Sequence, residues 1–170
     1  MAGTLKVGTI TTPTGSGSIT IPSGVAMTGH NSPIFMAYAN GTTQSIATAT
    51  FTTWTNYTVV IDTDSMFDTT NHKLTIPTGK GGTYFISVQM NMSTSADFDE
   101  FAIRIRTNDN ATNFLYSSVR NENFETNHIA AVRDLSAGDN LTLDLYHNRG
   151  SAAVTDANNY KSNYSVFRIK

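Results

Sequence analysis

From about residue 33 onward, apolar and polar side chains alternate with the period of two that marks half-buried β-strands. The densest signal lies in 51–90, FTTWTNYTVVIDTDSMFDTTNHKLTIPTGKGGTYFISVQM. Val59 and Ile61 begin an alternating run, and 62–71 is crowded with turn residues. Lys73-Leu74-Thr75-Ile76-Pro77 alternates again before a glycine-rich corner feeds 83–90. In that last run Tyr84, Ile86, Val88 and Met90 share one face, and Phe85, Ser87, Gln89 and Asn91 share the other. Alternation shows that the two sets point in opposite directions; it does not show which set meets a neighbour.

The first strong apolar run, Ile34-Phe35-Met36-Ala37-Tyr38-Ala39, ends at the turn signal Asn40-Gly41 and marks the start of a folded domain. Further strands are predicted near 48–51, 58–62, 73–76, 83–92, 101–107, 114–119, 127–135, 140–147 and 163–169. Residues 98–106 could form a short helix, but Phe101-Ala102-Ile103-Arg104-Ile105-Arg106 alternates with period two and is assigned to a strand. The spacing of these segments fits an antiparallel sandwich of about ten strands.

Residues 1–32 differ in texture. Their few large apolar side chains, chiefly Leu5, Val7, Ile10, Ile19 and Ile21, cannot build a core alone. Two short strand-like runs, 4–11 and 18–22, flank Thr14-Gly15-Ser16-Gly17 and could form a ribbon with edges for another chain to complete. Against the competing reading of a disordered tail, Val7-Gly8-Thr9-Ile10 and Ser18-Ile19-Thr20-Ile21 have strand character that a plain Gly/Ser linker lacks. The expected organisation is an attachment arm, 1–32, that orders on docking through those five residues, followed by a knob, 33–170.

Asp62, Phe67, Leu74, Ile76, Pro77, Gly82, Tyr84 and Ile86 follow an order that resembles the TNF-like jelly roll, particularly the globular head of the first complement component. Val132 to Leu143 is similar to that family's Leu-x-x-Gly-Asp-x-Val-x-Leu stretch, and 163–169 to its closing strand. Ile86 stands where the usual residue is aromatic, and Val166 where many members have glycine. The resemblance spans about 33–170 and implies a ten-strand sandwich packed as a homotrimer, used for binding or structure and not for catalysis. Residues 3–10 and 15–24 are similar to the opening segments of tailed-phage virion proteins. Together the two resemblances imply a virion structural protein, made in the host cytoplasm and carried on the particle.

Composition narrows the partners. With 170 residues and 39% hydrophobic content the chain can bury a single sizeable core. A charged fraction of 14% and a net charge of −2 give no electrostatic footprint for a phosphate backbone, so nucleic acid is not an expected partner. There is no cysteine, which leaves stability to packing and assembly. No apolar run approaches the roughly 20 residues of a membrane span, nor does the first segment carry a secretory apolar core of about 7–15 residues. Six Asn-x-Ser/Thr triplets, at Asn40, Asn56, Asn91, Asn110, Asn140 and Asn163, are read as a product of the Asn- and Thr-rich composition.

Candidate chemistry is sparse. His30, His72, His128 and His147 are scattered without metal-ligand spacing, so no metal site and no cofactor are expected, and His128 and His147 are read as hydrogen-bonded surface or interface residues. Asp62, Asp64 and Asp68 form one acidic group, read as a turn-rich loop that caps the sandwich. Asp97, Asp99 and Glu100 form another that could offer oxygens to calcium but lacks the order of a calcium loop, so solvated turns are favoured. Thr78-Gly79-Lys80-Gly81-Gly82 lacks phosphate-loop spacing and is read as a corner with an exposed Lys80. Aromatic candidates for core or trimer interface are Tyr38, Tyr84, Phe85, Tyr116, Tyr146, Tyr164 and Phe167. The leading expectation is a non-enzymatic capsid decoration (cement) protein docked through its arm on phage capsid or tail proteins. The alternative is a short tail-fibre or head-fibre knob that binds a receptor or host-surface glycan through 94–100, 108–113 and 148–159.

Overall fold

The computed structural model describes residues 32–93, 98–110, 114–122, 126–158 and 160–170. The expected arm, including Leu5, Val7, Ile10, Ile19 and Ile21, lies outside the described residues except for Ser32. The described residues form strands, turns and no helix. The strands are Ile34–Ala39 (β1), Ser45–Ile46 (β2), Thr52–Thr53 (β3), Tyr57–Asp62 (β4), Phe67–Asp68 (β5), Lys73–Thr75 (β6), Gly82–Asn91 (β7), Phe98–Thr107 (β8), Leu115–Glu122 (β9), Thr126–Leu135 (β10), Asn140–His147 (β11), Ala153–Val154 (β12) and Asn163–Arg168 (β13).

Two antiparallel sheets carry the fold. One has the order β10-β7-β13-β1-β4, the other β5-β6-β11-β8-β9 with β3 also on β11, and β12 pairs with β2 as a small third ladder. Neighbours in the sheets are far apart in sequence, as when β1 pairs with the closing strand β13 (Ile34 opposite Phe167, Tyr38 opposite Asn163). This jelly-roll order follows from strands that each bury one face and must find a partner sheet to cover it. Tyr84, Ile86, Val88 and Met90 from β7 and Phe35, Ala37, Tyr164 and Val166 from its neighbours are buried. They meet Leu74, Phe101, Ile103, Ile105, Leu141, Leu143 and Leu145 of the other sheet in one continuous core. A fully buried aliphatic or aromatic side chain of this kind contributes about 1.5–3 kcal/mol from area alone.

Polar side chains tie the layers where hydrophobic contact cannot. Asn127 on β10 is buried and reaches across to the other sheet, donating to the carbonyls of Phe101 at 3.1 Å and Ser117 at 3.0 Å while its oxygen accepts from Ser117 Oγ at 2.9 Å. His147, read from sequence as a surface or interface residue, is instead buried at the end of β11. Its Nε2 lies 2.8 Å from the Ile46 carbonyl and carries the proton, because a carbonyl can only accept.

Two expectations change. No strand forms at 48–51: Ala49 adopts φ +55 and donates its N–H to the His147 carbonyl, so the chain turns there between β2 and β3. Lys80 is partly buried beside Asp64, with Nζ 3.4 Å from the carboxylate, instead of exposed. The glycine-rich corner has a steric reason. Gly82 has φ +151, and a Cβ there would collide with the Lys170 carbonyl oxygen and the Arg168 guanidinium, so the chain end can close on β7 only past a glycine.

Candidate assembly interface

The outer face of the five-stranded sheet is the surface that carries the most information. Strand register aligns its side chains in three cross-strand rows. Ile34, Phe167, Phe85 and Val132 form the first row, running across β1, β13, β7 and β10. Ile61, Met36, Ser165, Ser87 and Ala130 form the second, and Thr58, Tyr38, Asn163, Gln89 and His128 the third. These fourteen positions include no Asp, Glu, Lys or Arg; the first charge on the face is Asp134, opposite Thr83 and one pair beyond Val132 and Phe85.

The first row is apolar and wet, with Ile34 38% exposed, Phe167 39% and Val132 51%. The rings of Phe85 and Phe167 touch at 5.1 Å between centroids. The middle row is small at its centre, Ser165-Ser87-Ala130. The third row is polar, with Gln89 donating to the Lys161 carbonyl and Ser87 Oγ lying 3.3 Å from His128 Nε2. Beside these rows a register shift in the β1–β4 pairing between Met36 and Ala37 accompanies the exposure of both Val60 and Ile61 at the sheet edge. Depletion of charge beside an exposed apolar row is the composition of a buried interface core.

The opposite outer face, on the six-stranded sheet, is charged. Asp144 is buried there and accepts from Arg104 Nη2 at 2.8 Å, Arg106 Nε at 2.6 Å and Thr53 Oγ1 at 2.9 Å. Burial pushes its carboxyl up, but the Arg106, Arg104 and Thr53 hydrogen bonds together outweigh it and hold it below the usual carboxylate range. Arg104 lies 3.6 Å over the Phe51 ring, and Phe51 in turn contacts Tyr146. Tyr116 donates to Glu100 at 2.7 Å, and Arg120 pairs with the same carboxylate at 3.2 Å. The Tyr116 hydrogen bond is the main cause of a depressed Glu100 carboxyl.

Of the seven aromatic candidates, the structure places Tyr84 and Tyr164 in the core, Tyr38, Phe85 and Phe167 on the outer face of the five-stranded sheet, and Tyr116 and Tyr146 on the opposite outer face. Ile34, Ile61 and Val132 complete the uncharged face and were not singled out from sequence. Ile34 and Val132 are apolar residues at the polar phase of an alternating strand, whereas Ile61, in phase with Val59 by sequence, reaches this face through the register shift opposite Met36 and Ala37.

The acidic groups resolve into turn caps. Asp62 accepts from the N–H groups of Met66 and Phe67, and Asp68 from those of Thr70 and Asn71. Asp97 lies outside the described residues, Asp99 is exposed, and Glu100 is held by Tyr116 and Arg120. Among the described residues no three His, Asp or Glu side chains are grouped to hold a metal ion. Of the loops weighed for glycan binding, 94–97 and 111–113 lie outside the described residues, whereas 98–100 belong to β8 and 153–154 to β12.

No family profile matches the chain, and no curated protein matches it in sequence. Solved structures do match in shape. A TNF protein, Eiger from S. frugiperda, superposes with a TM-score of 0.62 at 13% identity, covering 82% of this chain and 93% of that one. The globular domain of zebrafish complement 1qA gives 0.56 at 14% identity, covering 81% and 98%. Vertex protein P5 of the phage PRD1 gives 0.58 at 14% identity, covering 82% and 96%. With the two antiparallel sheets and the absence of helix among the described residues, these similarities establish a TNF-like jelly roll, the fold that the order of residues 62–86 had led us to expect.

Proposed function

We propose that the chain is a non-enzymatic bacteriophage virion protein that trimerises through the uncharged outer face of its five-stranded sheet and docks on capsid or tail proteins through residues 1–32. The observation that carries this reading is the contrast between the two outer faces. One holds fourteen uncharged aligned positions with an exposed apolar row, and the other holds Asp144, Arg104, Arg106, Glu100 and Arg120. A monomer would leave the apolar row in water, whereas three copies related by a threefold axis cover it. Similarity in shape to a phage vertex protein supports a place on the virion, and the strand-like runs in 1–32 support the arm as the anchor.

Among virion roles, capsid decoration is favoured because 1–32 leads directly into the sandwich with no heptad or repeated shaft between them. The second reading, a receptor- or glycan-binding knob of a head or tail fibre, is favoured by the exposed aromatic and arginine side chains of the six-stranded face, which trimerisation leaves in solvent. Deleting 1–32 should preserve the trimer and abolish incorporation into particles; normal incorporation would remove the arm from the account. Counting copies per virion separates the roles. A copy number that scales with the capsid lattice indicates decoration, and one set per vertex or tail indicates a fibre.

A further inference from the structure

Between the two sheets, away from the uncharged face, lies a cavity of about 10 Å³ lined by Phe35, Ala37, Trp54, Tyr57, Phe67, His72, Leu143 and Tyr164. Aromatic rings form most of the wall. Phe35 stacks on Phe67 at 4.8 Å, and Tyr57 meets Phe67 edge-on at 4.9 Å. On one side Tyr57 Oη lies 2.5 Å from His72 Nδ1, with His72 held at φ +55.

Two of the lining residues, Trp54 and Tyr164, each carry a buried polar atom. Trp54 Nε1 and Tyr164 Oη are buried, in residues 3% and 2% exposed, and neither has a hydrogen-bond partner among the described residues. An indole N–H can only donate, so Trp54 requires an acceptor. A phenol can donate or accept, and burial keeps the Tyr164 hydroxyl protonated by pushing its titration well above the ordinary phenol range. Buried polar atoms without partners are rare in folded proteins, and two carried by residues that line one small cavity point to a shared ligand. The volume is that of one water and of nothing larger.

We propose that this cavity is a hydration site holding a single long-lived water that accepts from the Trp54 indole N–H and exchanges a hydrogen bond with the Tyr164 hydroxyl. The water links the two sheets. Tyr164 belongs to β13 of the five-stranded sheet, whereas Trp54 follows β3 and its backbone N–H donates to Leu143 of β11 in the other. Phenylalanine at 164 would keep the ring and remove only the hydroxyl, so Tyr164→Phe isolates this link, whereas Trp54→Phe also removes buried volume.

Trp54 is the only tryptophan, so a ¹⁵N-labelled sample gives one native indole N–H resonance. With the intact chain, that resonance should show magnetisation transfer from water with the sign of a long-lived bound molecule, and slow exchange with solvent. Tyr164→Phe and Trp54→Phe should each lower Tm by a few degrees, about 4 °C. The double variant should fall by less than the two single effects combined, because both residues hold the same water. An indole proton with no cross-peak to water would overturn the proposal, as would a Tyr164→Phe variant whose Tm is unchanged or raised, the result expected of a hydroxyl buried without a partner.

Discussion

Asp144→Asn should be among the most damaging single substitutions on the surface sheets. The carboxylate is buried at the centre of β11, with Arg104 and Arg106 converging on it from β8 and Thr53 from β3. An amide keeps the shape but supplies one acceptor and no charge, leaving two guanidiniums repelling each other. Removing one member of a buried ion pair costs about 3–5 kcal/mol. The arginine side chains here retain 14% and 20% exposure, so water offsets part of that loss and the lower end, about 3 kcal/mol, applies. For a domain of this size that is a fall in Tm of roughly 10 °C. Urea unfolding at neutral pH and equal chain concentration measures it, since the midpoint of an assembling chain depends on concentration. The pH dependence follows with a definite sign. The folded carboxyl titrates below its ordinary 3.8, so its stabilisation is complete above that value and is lost as pH falls through the folded pKa. Wild-type stability should therefore drop more steeply than that of the variant as pH is lowered below about 4. A cost under about 1 kcal/mol would refute the argument, because a pair this exposed to solvent would then be worth no more than a surface ion pair.

Three other outcomes are expected. Ile86→Ala, at a fully buried position of β7, should cost about 2–5 kcal/mol in the same unfolding assay. Gly82→Ala should disturb the closing strand locally, because its Cβ collides with the Lys170 carbonyl and the Arg168 guanidinium; amide exchange of Thr83 and Ile169 should speed up while the centre of β11 stays protected. Asn127→Ala should cost about 1–3 kcal/mol by stranding the Phe101 and Ser117 carbonyls that its amide satisfies across the sheets.

Much of this fold can be read locally. The alternation in 84–90 identifies the two faces of β7, and burial of Tyr84, Ile86, Val88 and Met90 settles which is interior. Strands 140–147 and 163–169 were legible for the same reason, since Leu141, Leu143 and Leu145 in one and Tyr164 and Val166 in the other alternate with polar residues. What local pattern could not supply is register. Ile34 and Phe167 are adjacent only because β1 pairs with β13, and Phe167 meets Phe85 only because β13 pairs with β7. The uncharged face is thus assembled from residues more than a hundred positions apart and has no contiguous signature. Short edge strands such as β2 and β12 were missed because two residues carry no periodicity, and His147 was misplaced because its burial depends on the Ile46 carbonyl brought by β2.

The central claim is that the uncharged face mates copies of this chain, and light scattering on purified protein tests it most directly. The wild type should give about three times the 18.4 kDa chain mass at micromolar concentration, and Val132→Asp combined with Phe167→Asp should give a folded monomer. A monodisperse wild-type monomer, or a trimer that survives both aspartates, would contradict it.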